Sequence, residues 1–275
     1  MEAIIAVNGQ PRPPCPPCPP DGDGRRGGLG TVLRSPWRLL RRAAGLEASV
    51  LLTILVAIVG AWAFIEIADM VRDEETLGFD RRVILALRSG EDPARPVGPE
   101  WLGGAARDIT ALGGWAVLTI LDLAVAGFLI LRRRWGMLVL VAVAVLGGEG
   151  LEQGLKVLFG RERPTEVPHL APAQGMSFPS GHAMLSAIVY LTLGGLLARL
   201  VPDRRSKAFI LAVAVVLTAL VGSTRVFLGV HYPTDVLAGW SAGLAWAALC
   251  ALAARALARR RVIEGAGPGQ SMESE

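Results

Sequence analysis

Six stretches of almost uninterrupted apolar residues divide this chain, each about the 17 to 25 residues that a helix needs to cross a bilayer. They run from about Ala48 to Ala68, Ile109 to Leu131, Trp135 to Phe159, Ala183 to Leu200, Ala208 to Thr224 and Val236 to Ala254. The third departs from the pattern, because Glu149, Glu152, Gln153 and Lys156 fall in its second half, three or four apart and so on one helical face. Such a stripe is expected to face the bundle interior or the water boundary, since lipid offers it no partner. Within it, Glu152 and Lys156 have the spacing of a helical ion pair. The segment between the first two spans, about Arg72 to Arg107, is mixed in charge. There Phe79, Val83, Ile84 and Leu87 recur at helical spacing against Asp80, Arg81, Arg82 and Arg88, which predicts a short amphipathic helix on the outer membrane–water interface. Packing of that helix over the bundle is the simpler expectation; a lid or a gate for incoming lipid is the alternative.

Composition agrees with a membrane as solvent. The 275 residues are 52% hydrophobic, and the 19% that are charged gather in short clusters between the apolar runs. The net charge of +4 raises nucleic acid as a partner. The arginines flank hydrophobic segments instead of forming one basic face, so membrane topology accounts for them and no nucleic-acid partner is expected. Arg34, Arg38, Arg41 and Arg42 precede the first span, Arg132 to Arg134 follow the second, Arg204, Arg205 and Lys207 follow the fourth, and Arg255, Arg259, Arg260 and Arg261 follow the sixth. With an even number of spans, these clusters share one side, the cytoplasmic one, as do both termini. The expected fold class is all-α: a polytopic protein with six transmembrane helices in a bundle over residues 34–262. Residues 1–33, rich in Pro, Gly and Arg, predict a disordered tail, and residues 263–275 a flexible one. No apolar h-region precedes a small-residue cleavage site, so the start does not read as a signal peptide. Cys15 and Cys18 lie in the Pro-rich tail and Cys250 in an apolar helix, so no disulfide framework or metal site is expected from them.

Three polar blocks then stand out, each at the edge of an apolar run and all on the side opposite the basic clusters. The first is Lys156-x6-Arg163-Pro164. Pro164 disfavours helical geometry at Arg163, which places the arginine in extended chain beyond the helix end. A guanidinium grips phosphate oxygens bidentately and an ammonium acts as a point charge, so the two divide the work, with Arg161 as a further cation nearby. The second block, Pro179-Ser180-Gly181-His182, reads as a helix start. Ser180 suits the N-cap, and Gly181 removes bulk so that backbone N–H groups can approach an oxyanion. His182 is positioned as proton donor to a leaving alkoxide. The third is Thr224-Arg225-x5-His231-x3-Asp235. Pro233 suits the first position of the sixth span, so Asp235 falls in its first turn and can orient His231, leaving one ring nitrogen free to attack phosphorus. Arg225 adds a cation. The inventory suits phosphoryl transfer. The sequence holds three histidines; His169, in the outward loop, receives no role.

These blocks, in this order, resemble the signature of the type 2 phosphatidic acid phosphatase (PAP2) superfamily, from about Ile109 to Trp240. The resemblance implies a helical-bundle enzyme that needs no metal or other cofactor and works through a phosphohistidine intermediate on a phosphorylated lipid. It implies that Lys156, Arg163 and Arg225 bind phosphate with help from Ser180 and Gly181. It likewise implies that His182 protonates the leaving group, His231 attacks and Asp235 orients it. The family usually has Ser before the arginine of the third block; here Thr224 keeps a hydroxyl. An integral membrane lipid phosphatase is therefore expected, with its active site on the periplasmic or extracellular side of a bacterial inner membrane. Its substrate would be undecaprenyl pyrophosphate, phosphatidic acid, phosphatidylglycerol phosphate or a lipid A phosphate. The alternatives are a lipid phosphotransferase and, from another class, a transporter on the same bundle, for which Asp122, Glu149 and Glu152 would be the intramembrane acids. The six spans exclude a soluble haloperoxidase.

Overall fold

A computed structural model describes residues 34–90 and 92–264, with side chains from 47 to 257. The tail expected over 1–33, with Cys15 and Cys18, and residues 265–275 lie outside them. The chain falls into two compact units, Met1–Glu47 and Ala48–Glu275, and the helical bundle belongs to the second. Every regular element among the described residues is a helix: α1 (Arg34–Arg72), α2 (Leu77–Ala86), α3 (Glu100–Ala111), α4 (Trp115–Leu131), α5 (Trp135–Phe159), α6 (Gly181–Leu200), α7 (Arg204–Phe227) and α8 (Pro233–Glu264). Among the described residues, six segments are long and apolar enough to cross a membrane: Glu47–Arg72, Glu100–Leu131, Trp135–Phe159, Gly181–Leu200, Arg204–Phe227 and Pro233–Leu257. Their outer surfaces expose Leu51, Trp62, Ile120, Leu131, Val157 and Phe209, a distribution that water would penalise and hydrocarbon does not.

The boundaries follow local chemistry. Asp203 caps α7 by accepting from the Ser206 N–H at 2.7 Å. Gly160, at φ +58°, ends α5 in the left-handed conformation that glycine adopts without strain. The second expected span is two helices, because Gly113 and Gly114 interrupt it; its first residues, Ile109 to Ala111, close α3. Residues 263 and 264, expected in the flexible tail, are the last of α8.

Small residues set the closest approach in the bundle. Methyl groups added at Gly239 and Gly243 would lie 2.7 Å from the Ser180 carbonyl oxygen and 2.6 Å from that of Met184, so α8 packs directly on the backbone of α6. Trp246 Nε1 donates to the Ala144 carbonyl at 2.9 Å, tying α8 to α5, and Trp240 Nε1 donates to the Thr218 carbonyl at 3.1 Å, tying it to α7. Ala144, Met184, Ile188 and Ala242 fill the space between α5, α6 and α8. The C-terminal ends of α5 and α7 thus meet the N-terminal ends of α6 and α8. At the other end, Arg255 of α8 donates to the Ser49 carbonyl and the Thr53 hydroxyl of α1 at 3.1 and 2.9 Å.

The amphipathic helix forms as α2 and packs over the bundle, with Ile84 joining Ala183, Val226 and Val236 in one core cluster. Its faces differ from the expected division. Asp80 and Arg88, assigned to the polar face, are buried, and Phe79, assigned to the apolar face, is exposed. Both charged groups are held by partners, Asp80 by Arg161 and Thr234, and Arg88 by the carbonyls of Leu87 and Phe227. The polar stripe of α5 is also narrower than expected: Glu152 is buried, but Gln153 faces outward.

Candidate active site

At the end of the bundle where α5 and α7 finish and α6 and α8 begin, all three blocks converge. His231 lies in the short turn between α7 and α8, buried. Asp235, in the first turn of α8, places Oδ2 3.6 Å from His231 Nδ1, and Ser177 Oγ stands beside both, 3.3 Å from Nδ1 and 2.5 Å from Oδ2. Arg163 Nη1 lies 3.1 Å from the other ring nitrogen, Nε2. These contacts fix the imidazole tautomer. An ionised Asp235 can only accept, so Ser177 gives it the hydroxyl proton and must accept from Nδ1–H. Arg163 can only donate, so Nε2 must be unprotonated. Both arguments leave the lone pair on Nε2.

Arg163 sits in extended chain past the end of α5, as Pro164 predicts, and spreads its donors over the carbonyls of Gln174, Gly175 and Val230 at 2.8, 3.0 and 2.8 Å. Lys156 Nζ pairs with Glu152 Oε1 at 2.6 Å, the helical pair expected from their spacing. Gly181 faces that pair: a methyl group added there would collide with Glu152 Oε1 and approach Lys156 Nζ to 3.4 Å. Gly181 therefore also has a packing reason to lack a side chain. Ser180 stands at the N-cap of α6, yet its hydroxyl makes no cap bond. That Oγ and the Nε of Arg225 are buried polar atoms without a protein partner, while Arg225 Nη1 donates to Thr110 Oγ1 at 3.3 Å. Unpaired buried donors of this kind are what an oxyanion satisfies. His182, in the first turn of α6, lies within electrostatic reach of Lys156, Arg163, Arg225 and His231. Lys156, Arg163, Ser180, Gly181, His182, Arg225, His231 and Asp235 thus share one end of the bundle.

Three neighbours of the site are engaged elsewhere. Arg161, read as an extra phosphate cation, is spent on carboxylates: Nη1 donates to Asp235 Oδ1 and Nη2 to Asp80 Oδ2, both at 2.7 Å. The Thr224 hydroxyl, present where the family usually has that of Ser, bonds back to the Val221 carbonyl at 2.7 Å within its own helix. His169 faces the Pro164 carbonyl at 2.8 Å and holds the loop. Sequence reasoning missed Ser177 and the inward role of Asp80. Ser177 is two residues ahead of the Pro179 block, and nothing in its spacing marks it. Asp80 carried one signal, an acid on a helix whose apolar face needs a partner, but not the direction it points. Among the described residues, no group of three or more His, Cys, Asp or Glu side chains has metal-binding spacing.

Comparison with known proteins places this arrangement. A profile described as the PAP2 superfamily matches residues 135–259. Phosphatidylglycerophosphatase B of Bacillus subtilis (strain 168) is 38% identical over 148 residues, which cover 52% of this chain and 71% of that protein. The chain belongs to the PAP2 superfamily. Decaprenylphosphoryl-5-phosphoribose phosphatase of Mycobacterium tuberculosis is 34% identical over 143 residues, 47% of this chain and 66% of the relative. The crystal structure of the first transmembrane PAP2 type phosphatidylglycerolphosphate phosphatase, from Bacillus subtilis, superposes with a TM-score of 0.64 at 28% identity, covering 74% of this chain and 96% of that one. The protein is thus an all-α, integral-membrane PAP2 phosphatase, a hydrolase of phosphoric monoesters or diphosphates.

Proposed function

We propose that this PAP2 protein hydrolyses a phosphate or pyrophosphate monoester carried by a membrane lipid, without a metal, through a phosphohistidine at His231. One observation carries the reading: His231 is buried with a proton required on Nδ1, facing Ser177 and Asp235, and a lone pair required on Nε2, where Arg163 stands. In the first step Nε2 attacks the terminal phosphorus, its bond to the leaving oxygen breaks (the ester oxygen of a monoester, the bridging oxygen of a pyrophosphate), and His182 gives its proton to that oxygen. Arg163 exchanges Nε2 for a phosphate oxygen as substrate enters, and Lys156, Arg225, Ser180 and the Gly181 backbone receive the other oxygens. In the second step water attacks the phosphohistidine, returns a proton to His182 and releases phosphate.

The lipid class is supported by the relatives, whose names specify phosphatidylglycerophosphate and a decaprenylphosphoryl phosphoribose. It is supported too by a site at one end of a bundle otherwise coated with apolar side chains. The expected location is a bacterial inner membrane with the site facing outward and both termini cytoplasmic, since the basic clusters lie at the other ends of the spans. Phosphate release by the detergent-purified protein in EDTA, across undecaprenyl pyrophosphate, phosphatidic acid and phosphatidylglycerol phosphate, tests the function and ranks the substrates together. His231→Ala is expected to abolish release while the protein still expresses and purifies as wild type; appreciable residual turnover would remove the nucleophile assignment. Release that depends on an added acceptor would identify a transferase instead.

A further inference from the structure

We infer that Asp80, on the interfacial helix α2, is a positioning residue for His231, acting through Arg161 and Asp235; the inference rests on His231 being the nucleophile. The chain of contacts is continuous. Asp80 is fully buried and accepts from Arg161 Nη2 at 2.7 Å, from the Thr234 hydroxyl at 2.6 Å and from the Thr234 N–H at 3.1 Å. Arg161 Nη1 donates to Thr234 Oγ1 at 2.9 Å and to Asp235 Oδ1 at 2.7 Å. The Tyr232 ring lies under the guanidinium, 4.3 Å from ring centroid to Cζ. Asp235 Oδ2 then accepts from Ser177 and from the Tyr232 N–H at 2.9 Å, beside His231 Nδ1.

Two features make Asp80 more than a tether. Arg161 is shared between two fully buried carboxylates, with only 11% of its own side chain exposed. Remove the Asp80 charge and Nη2 becomes a buried donor without an ionised acceptor, so the guanidinium gains a reason to turn. Turning costs Asp235 its Oδ1 bond, and Asp235 stands beside Nδ1 and anchors Ser177, the group that accepts from Nδ1–H. Second, Asp80 accepts from the Thr234 backbone N–H in the first turn of α8, so it fixes the segment that carries Asp235 as well as the side chain. A second link from α2 serves as comparison: Arg81 pairs with Glu166 at 2.7 Å with 58% of its side chain exposed, and Glu166 reaches Asp235 only by way of Tyr232, whose hydroxyl donates to it at 3.2 Å and whose N–H bonds Asp235 Oδ2.

The experiment measures kcat and KM separately in the intact detergent-solubilised protein, with thermal unfolding alongside. Asp80→Asn, isosteric and still able to accept from Thr234, is expected to lower kcat roughly 10- to 100-fold, the worth of one bond to a charged group, with KM within about twofold. Arg81→Ala is expected to leave kcat within about twofold. On an Asp235→Asn background, followed in single turnover, Asp80→Asn should add less than about a twofold loss, since its route to His231 is already cut. Wild-type kcat in Asp80→Asn would overturn the inference, as would a full extra loss on the Asp235→Asn background or an equal loss in Arg81→Ala. If Asp80→Asn does not fold, Arg161→Lys and Thr234→Val carry the same cycle, and wild-type kcat in both overturns it. His231→Ala separates the two readings. Turnover surviving in that variant removes the nucleophile, whereas its loss beside a normal Asp80→Asn removes only the positioning role.

Discussion

His231 is held neutral by where it sits. Burial pushes its imidazole down to about 4 from the ordinary value of 6.5; Asp235 pulls the other way, and the Arg163 and Arg225 charges push down again. For a base with a depressed value the sign is unambiguous. Between about 6.5 and 4 the unfolded chain takes up a proton that the folded His231 refuses, so falling pH erodes stability across that window while the folded ring stays unprotonated. Histidine resonances of isotopically labelled protein in detergent should show His231 titrating near 4; titration near 6.5 would contradict the packing described. This state was only partly legible in the sequence. The pairing of His231 with Asp235 follows from a four-residue offset around Pro233, which starts a helix. Ser177, which decides where the proton sits, reaches the ring from a loop 54 residues away, and no local pattern announces a hydroxyl in that place.

At the scale of elements, hydropathy was a good guide because a bilayer imposes length and polarity directly on each helix. The break at Gly113 and Gly114 was hidden by apolar residues on both sides, and hydropathy does not register backbone conformation. The faces of α2 were misjudged for a related reason: a helical wheel assumes that charge seeks water, whereas Asp80 has a buried arginine to meet. What periodicity could not show at all is how near α8 approaches α6. Gly243 allows that approach, and a side chain there would have to displace the Met184 carbonyl, which cannot swing aside as a side-chain end can. Gly243→Val is expected to lower stability by about 1–3 kcal/mol, the usual cost of overpacking. It should also lower turnover, because the same interface sets the spacing of His182 on α6 from Asp235 on α8. Thermal unfolding in detergent and phosphate release check both; an unchanged midpoint would show that the helices can separate at little cost. Gly150, with no neighbour near its missing Cβ, is the control, and Gly150→Ala should be neutral or slightly stabilising.

The whole molecule joins two facts of independent origin. The basic clusters gather at one set of span ends, the ground for the proposed cytoplasmic side, and the bundle gathers the histidines at the opposite ends. If orientation follows charge, Glu162 beyond α5 faces outward and Pro202 before α7 faces the cytoplasm; both are exposed, and neither belongs to a basic cluster. With Cys15, Cys18 and Cys250 replaced, Glu162→Cys should react with a membrane-impermeant maleimide on intact cells, and Pro202→Cys only after lysis. The reverse result would turn the site to the cytoplasm, and reaction of both on intact cells would mean that the spans between them do not cross as read. An outward site carries a chemical requirement as well. The outer leaflet offers phosphorylated headgroups but no controlled supply of cytoplasmic cofactors. In the proposed mechanism, a nucleophile whose lone pair is fixed by Ser177, Asp235 and Arg163 would need nothing beyond the lipid and water. Activity that persists through exhaustive chelation and loses its phosphohistidine in His231→Ala would tie the orientation and the chemistry into one account.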